Sequence, residues 1–130
     1  MESGKGLQKP QFIKIKDILP MKHCYNVYGK VLSCKIVEKT RFGSEKAKAI
    51  EGVIADESSS ANFCIPEEQG QAIKEGQVIA IRNGKANLIN EHILLEIDRF
   101  GKVSAENVTI DKPNAAENIS DIAWEKKAKN

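Results

Sequence analysis

The residues best suited to chemistry in this chain of 130 amino acids are cations set around a ring. Lys39, Arg41, Lys46 and Lys48 fall within a short polar stretch and bracket Phe42, and Arg82 and Lys85 form a second, smaller set. Lysine and arginine neutralise phosphates and release the counterions condensed on a polyanion, which produces affinity without reading a sequence. An aromatic ring among them can stack on a base. The net charge of +2 hides a strong division along the chain. Residues 1–48 hold eleven Lys/Arg against four Asp/Glu, residues 49–76 one against six, and the remainder eight against eight. A basic first third of this kind suits a polyanion, suits an acidic protein, or is a solvated lysine-rich surface.

No other constellation competes. His23, Cys24, Cys34 and Cys64 lack the paired spacing of a zinc site, and Cys34 and Cys64 read as small apolar residues within strands. His92 reads as a lone surface histidine. No Ser–His–Asp set or carboxylate pair is legible. Gly4-Lys5-Gly6 has neither a strand before it nor a helix after it, so it is no phosphate loop. The expectation is a non-catalytic protein without metal or cofactor. Three cysteines cannot all pair and form no C-x-x-C, which points to reduced thiols in the cytoplasm or nucleus. The longest apolar runs, such as Val78 to Ile81, are far short of the roughly 18–20 residues that span a bilayer, so no membrane partner is expected. The opening MESGKGLQKPQ has no apolar stretch of signal-peptide length.

Positioning those cations falls to strands. YNVYGKVLSCKIV, Tyr25 to Val37, alternates and then shifts phase at Leu32 after an interior Gly29, the pattern of a long bent strand with a bulge. TRFGSEKAK reads as a loop. AIEGVIAD, Ala49 to Asp56, is the second strand, and ANFCI, Ala61 to Ile65, the third, stopped by Pro66. One short helical turn near Gln69 to Glu75 fits before Gly76. Gln77 to Ile89 is the fourth strand, with Asn83-Gly84 inside it, and ILLEIDRF the fifth. The expected architecture is all-β: a five-stranded Greek-key barrel with one short helix between strands 3 and 4. A β-sandwich would need about seven strands. Alternation selects Val27, Val31, Ile54, Phe63, Ile65, Val78, Ile81, Leu88, Leu95 and Ile97 as the core.

The order KIKDILP, YGKVL, AIEGVIADES, IKEG and QVIAIRNGKANLINEHILLEI resembles the oligonucleotide/oligosaccharide-binding (OB) domains of the single-stranded-DNA-binding family. It is similar to the B-type component of the SOSS complex and to archaeal relatives of replication protein A. IAD, NGKANL, DRFGKV and NISDIAWE are also similar to a family of small stand-alone plant OB proteins, and the resemblance runs from about Phe12 to Glu125. It implies binding of single-stranded DNA or RNA, without catalysis, in a groove across strands 2 and 3. Loops 1–2 and 4–5 would close its sides. Lys39, Arg41, Phe42, Lys46 and Lys48 then belong to loop 1–2, and Arg82 and Lys85 to the flanks of loop 4–5. Phe42 either stacks on a base or folds back to plug the barrel mouth. The SOSS-like relatives carry aromatics at positions that align with Pro66, Lys85, Ile89 and Glu96 here, so weak, mainly electrostatic binding is expected. An adaptor holding protein subunits of a larger complex is the alternative.

Domain boundaries follow from composition. Residues 1–11 form a flexible N-terminus, 12–103 the OB domain, 104–125 an extension packed on the barrel, and 126–130 a disordered tail. Within the extension, Ile119, Ile122 and Ala123 have the spacing of a helical turn, and an extended segment ending on Trp124 fits equally. Burying the chain's single tryptophan removes on the order of 150–250 Å² from water, which favours docking. The competing reading leaves Trp124 exposed for a partner.

Overall fold

The computed structural model describes residues 11–40 and 46–125. The expectations for residues 1–10, for Arg41 and Phe42, and for residues 126–130 lie outside the described residues. The chain forms a closed five-stranded barrel in the order β1-β2-β3-β5-β4, the OB architecture. The strands are β1 (His23–Thr40), β2 (Lys46–Ala55), β3 (Ser60–Pro66), β4 (Val78–Ile89) and β5 (His92–Ala105). Among the described residues no helix is long and apolar enough to cross a membrane.

β1 serves two partners. Its first part pairs antiparallel with β4 and its second with β2, and Lys30 faces both Val78 and Ala55. The register with β2 slips between Val31 and Ser33, which places the bulge at Leu32, where the sequence changes phase. Two glycines make the bend sterically possible. A Cβ on Gly29 would stand 2.9 Å from that of Ile54, and one on Gly52 would meet the Ser33 carbonyl and the Phe63 ring. The barrel closes between β3 and β5 through one parallel pair, Phe63 with Leu95.

β1 and β2 run further than the alternation indicates. Lys39 pairs with Ala47 and Thr40 with Lys46. TRFGSEKAK is therefore not a loop throughout: Thr40 and Lys46 to Lys48 belong to strands, because the ladder satisfies their backbone whatever their side chains. The helix between strands 3 and 4 is a single 3-10 turn, Glu67–Gln69, rather than a turn near Gln69 to Glu75. It ends at Gly70, where an added Cβ would lie 3.0 Å from both Ile50 and Ile73, so that buried Ile73 closes this end of the barrel.

The expected core residues are buried with one exception. Leu88 is only half-buried, near the β4–β5 hairpin, and Ala86 is the deeper residue of that strand. Ile79, Ile93, Ile15 and Ile18 also belong to the core. The last two come from the segment before β1, held by Asp56, whose buried carboxylate accepts from Ile15 N (2.9 Å) and from Ser58 N (2.8 Å). Leu19 from the same segment is exposed.

After β5 the chain returns along the free edge of β3. Ser60 N donates to Glu117 O (2.8 Å), Asn62 N to Ser120 Oγ (2.9 Å), and Trp124 N to Glu91 O (2.9 Å). Ile119–Asp121 is one 3-10 turn, capped where Asn118 Oδ1 accepts from Ser120 N, and residues 122–125 continue without helix. The segment thus combines one tight turn with an irregular end. Ile119 is buried, Ile122 exposed and Trp124 half-buried against the core. Indole Nε1 is buried and meets no acceptor among the described residues.

The Tyr25 hydroxyl donates to Lys85 O (3.2 Å) beneath Gly84, and burial, then the Glu96 charge, pushes its ionisation far above the ordinary phenol range. The unfolded chain ionises this phenol above about pH 10 while the folded chain does not, so its contribution is complete below that pH and falls as pH rises, by about 1.4 kcal/mol per unit. Denaturant titrations from pH 9 to 11 are expected to show that loss, and Tyr25→Phe to lack this component. Trp124 emission is expected blue-shifted, moving red on unfolding. Trp124→Ala should cost about 1–3 kcal/mol, and Trp124→Phe less, since it keeps the ring packing and removes a donor without a partner.

Candidate nucleic-acid interface

Alternation along the central strands sorts side chains to the two sides of the barrel wall. On β2, Ile50 and Ile54 face the core, so Glu51 and Val53 face outward. On β3, Phe63 and Ile65 point inward, which turns Asn62 and Cys64 out. On β5, Leu95 and Ile97 point inward, leaving Leu94, Glu96 and Asp98 outside. Register then sets Lys35 opposite Glu51, Glu51 opposite Cys64, and Lys85 opposite Glu96. The result is one continuous outer face across β1, β2, β3, β5 and β4.

Two depressions mark it. An open cleft of about 460 Å³ runs between Ser33, Lys35, Glu51, Val53, Asn62 and Leu94. A smaller hollow of about 180 Å³ lies toward the β1–β2 hairpin, with Lys39, Lys48, Cys64, Pro66 and Glu96 among its walls. Lys39 and Lys85 thus flank Glu96, while Lys48 also borders a separate depression with Glu67, Glu68 and Gln71, and Lys46 stands exposed at the start of β2. Arg82 shares none of these neighbours. Its guanidinium donates to Ser104 Oγ (2.9 Å), lies 3.5 Å from Glu106 and rests over the Phe12 ring at 5.3 Å, and Phe12 stacks on Tyr28. Arg41 and Phe42 lie outside the described residues.

The face is mixed in charge rather than uniformly basic. Lys39 Nζ sits 2.6 Å from Glu51 Oε2, and that hydrogen bond holds the ammonium above its usual range. Lys85 Nζ sits 3.2 Å from Asp98 Oδ2. The Phe100 amide, then Lys85, hold the Asp98 carboxyl below its usual range. Glu96 accepts from Asn87 Nδ2 at 2.6 Å. Sequence reading found the cations and missed the anions. Glu51 was accessible to it, since strict alternation from Ile54, assigned to the core, places Glu51 three residues earlier on the outward side. The proximity of Asp98 to Lys85 was not, because it depends on the β4–β5 register.

Of the four positions that the resemblance aligns with aromatics, Pro66, Lys85 and Glu96 border this face, and Ile89 is exposed near the hairpin end of β4. Among the described residues, no group of three or more His, Cys, Asp or Glu is placed to hold a metal ion. All three cysteines are free: Cys24 is exposed, Cys34 half-buried and Cys64 buried.

A closed barrel in this strand order, with an open outer face bordered by hairpins, defines the OB class of binding domain. Residues 18–105 match the family model described as single-stranded DNA binding protein Ssb-like, OB fold. The chain belongs to that family, a non-enzymatic kind of protein. It is 23% identical over 128 residues to an uncharacterized protein of Arabidopsis thaliana, covering 91% of this chain and 84% of that one. The solution structure of a hypothetical Arabidopsis thaliana protein is similar with a TM-score of 0.72 at 23% identity, over 100% of this chain and 97% of the other. A chain of a replication protein A heterotrimer bound to single-stranded DNA superimposes with a TM-score of 0.66 at 12% identity, over 80% of this chain and 27% of the other.

The three thiols differ in access, and Cys64 reports on the face directly. Burial pushes the Cys64 thiol up from its ordinary value, and only the thiolate reacts. At pH 8 a maleimide is expected to modify Cys24 first and Cys64 last, as followed by intact-mass spectrometry. Rapid labelling of Cys64 in the folded protein would mean that the hollow between Lys39 and Glu96 is open to its floor.

Proposed function

We propose that this protein binds single-stranded nucleic acid, DNA or RNA, without catalysis and mainly through charge, along the outer face of β1, β2, β3 and β5. The observation that carries this reading is the placement of Lys39 and Lys48 at the small hollow of that face, with Lys85 opposite its Glu96 wall, in a chain of the Ssb-like OB family. The related replication protein A chain is described as bound to single-stranded DNA, which supports the same ligand class. Arg41, Phe42 and Lys46 extend the proposed site at the β1–β2 hairpin. Arg82 enters as a flanking contact, already engaged by Ser104 and Glu106. Each aromatic platform is worth roughly 1–3 kcal/mol per base, so replacing the family's rings with Pro66, Lys85, Ile89 and Glu96 favours weak and salt-sensitive binding.

A second reading rests on Glu51, Glu96 and Asp98 lying among the cations: a mixed face of this kind also suits a protein partner, with the domain acting as an adaptor. Titration of labelled single-stranded DNA and RNA oligomers across salt concentrations separates the two. Lys39, Arg41, Lys46 and Lys48 changed together to Ala are expected to weaken binding similarly for all sequences. The slope of log affinity on log salt should flatten by about 0.7 for each phosphate that is no longer neutralised. Unchanged affinity at low salt would remove the hairpin from the site and favour the adaptor.

A further inference from the structure

Resting on the nucleic-acid reading above, we infer that Glu51 and Asp98 act as built-in competitors for phosphate, occupying Lys39 and Lys85 and holding the affinity of the face below what its cations alone would give. The geometry is local and specific. Glu51 lies opposite Lys35 and Cys64 in the sheet register, so its carboxylate is fixed on the outer face between two strands rather than on a loop. It meets Lys39 at 2.6 Å with both side chains partly exposed, 50% for Lys39 and 30% for Glu51. Asp98 is fixed by the amide of Phe100 at 2.8 Å, which leaves its second oxygen to Lys85 at 3.2 Å. Glu96 stands opposite Lys85 but is turned to Asn87, so Asp98 is the anion engaged with that cation.

A lysine already neutralised by a carboxylate adds no net charge to the phosphate path. An incoming phosphate must displace the carboxylate and then leave it nearby as a repelling charge. Exposed ion pairs of this kind are weak, so the pairs yield to a polyanion but subtract from its binding. Affinity that responds steeply to small changes in these two residues is the consequence, and Glu51 and Asp98 become residues that set affinity although neither touches the ligand favourably.

The test is a gain of affinity, which a damaged fold does not produce. Glu51→Gln and Asp98→Asn in the full chain are each expected to tighten binding of fluorescein-labelled oligo(dT) and oligo(rU) by about two- to five-fold at low salt. Each should also steepen the salt slope by about 0.7, as one more lysine becomes free for phosphate. Lys39→Ala in the Glu51→Gln background should abolish the gain, since the two substitutions act through one pair. Glu57→Gln serves as the control for net charge, because Glu57 pairs with Lys14 away from this face and should leave affinity unchanged. Equal tightening by Glu57→Gln, or unchanged or weaker binding by Glu51→Gln and Asp98→Asn while the wild type binds, would overturn the inference and leave the nucleic-acid reading standing. If neither wild type nor variants bind any single-stranded oligomer, the nucleic-acid reading itself fails and takes this one with it.

Discussion

The whole molecule depends on β1 being shared by two neighbours. A strand pairs along both edges, and β1 gives its first part to β4 and its second to β2, changing over at Lys30. The bend this requires is local: Gly29 admits Ile54 into the barrel, Leu32 takes up the extra residue, and Gly52 lets the β1 backbone pass close above Phe63. Without the bend, β2 and β4 would continue as an open sheet with two free edges. With it, the sheet curls and Ile54, Phe63, Ile81 and Leu95 meet in one core.

Closure on the far side is lean by comparison. A single parallel pair joins β3 to β5, which leaves other groups along β3 in need of partners. The segment after β5 meets that need, supplying Glu117 O and the Ser120 hydroxyl to the amides of Ser60 and Asn62. It also brings Ile119 and Trp124 onto the core. Asp56 performs a related task at the start of the chain, its carboxylate holding the Ile15 amide while its own carbonyl accepts from Asn114 N. One turn between β2 and β3 therefore ties together both ends of the described chain.

The functional face inherits its character from this frame. Because the core covers one side of β2 and β5, their outward positions are free to hold charge, and they carry the anions of the face, Glu51 on β2 and Glu96 and Asp98 on β5. The basic residues arrive from β1 and β4 on either side. Opposite charges are consequently brought onto one face, and the ion pairs of Lys39 with Glu51 and of Lys85 with Asp98 form diagonally across neighbouring strands rather than between directly opposed residues. The proposed weak, salt-sensitive binding and the proposed role of the two carboxylates are consequences of one arrangement.

The sequence by itself determined the strands and the barrel. Period-two alternation reports burial directly, and an interior glycine followed by a phase change at Leu32 marks a bend that only a closed sheet needs. It also determined which residues are cationic. It did not determine where β1 and β2 end, because Lys46 to Lys48 are polar like a loop while their backbone pairs like a strand. Nor did it determine that Arg82 would turn to Phe12, Ser104 and Glu106 while Lys85 turned to Asp98, because the register slips between Arg82 and Gly84 and local pattern does not say which partner a slipped strand meets. Charge is a property of a residue and is legible along the chain. Charge pairing is a property of two strands brought together, and only the closed barrel decides it.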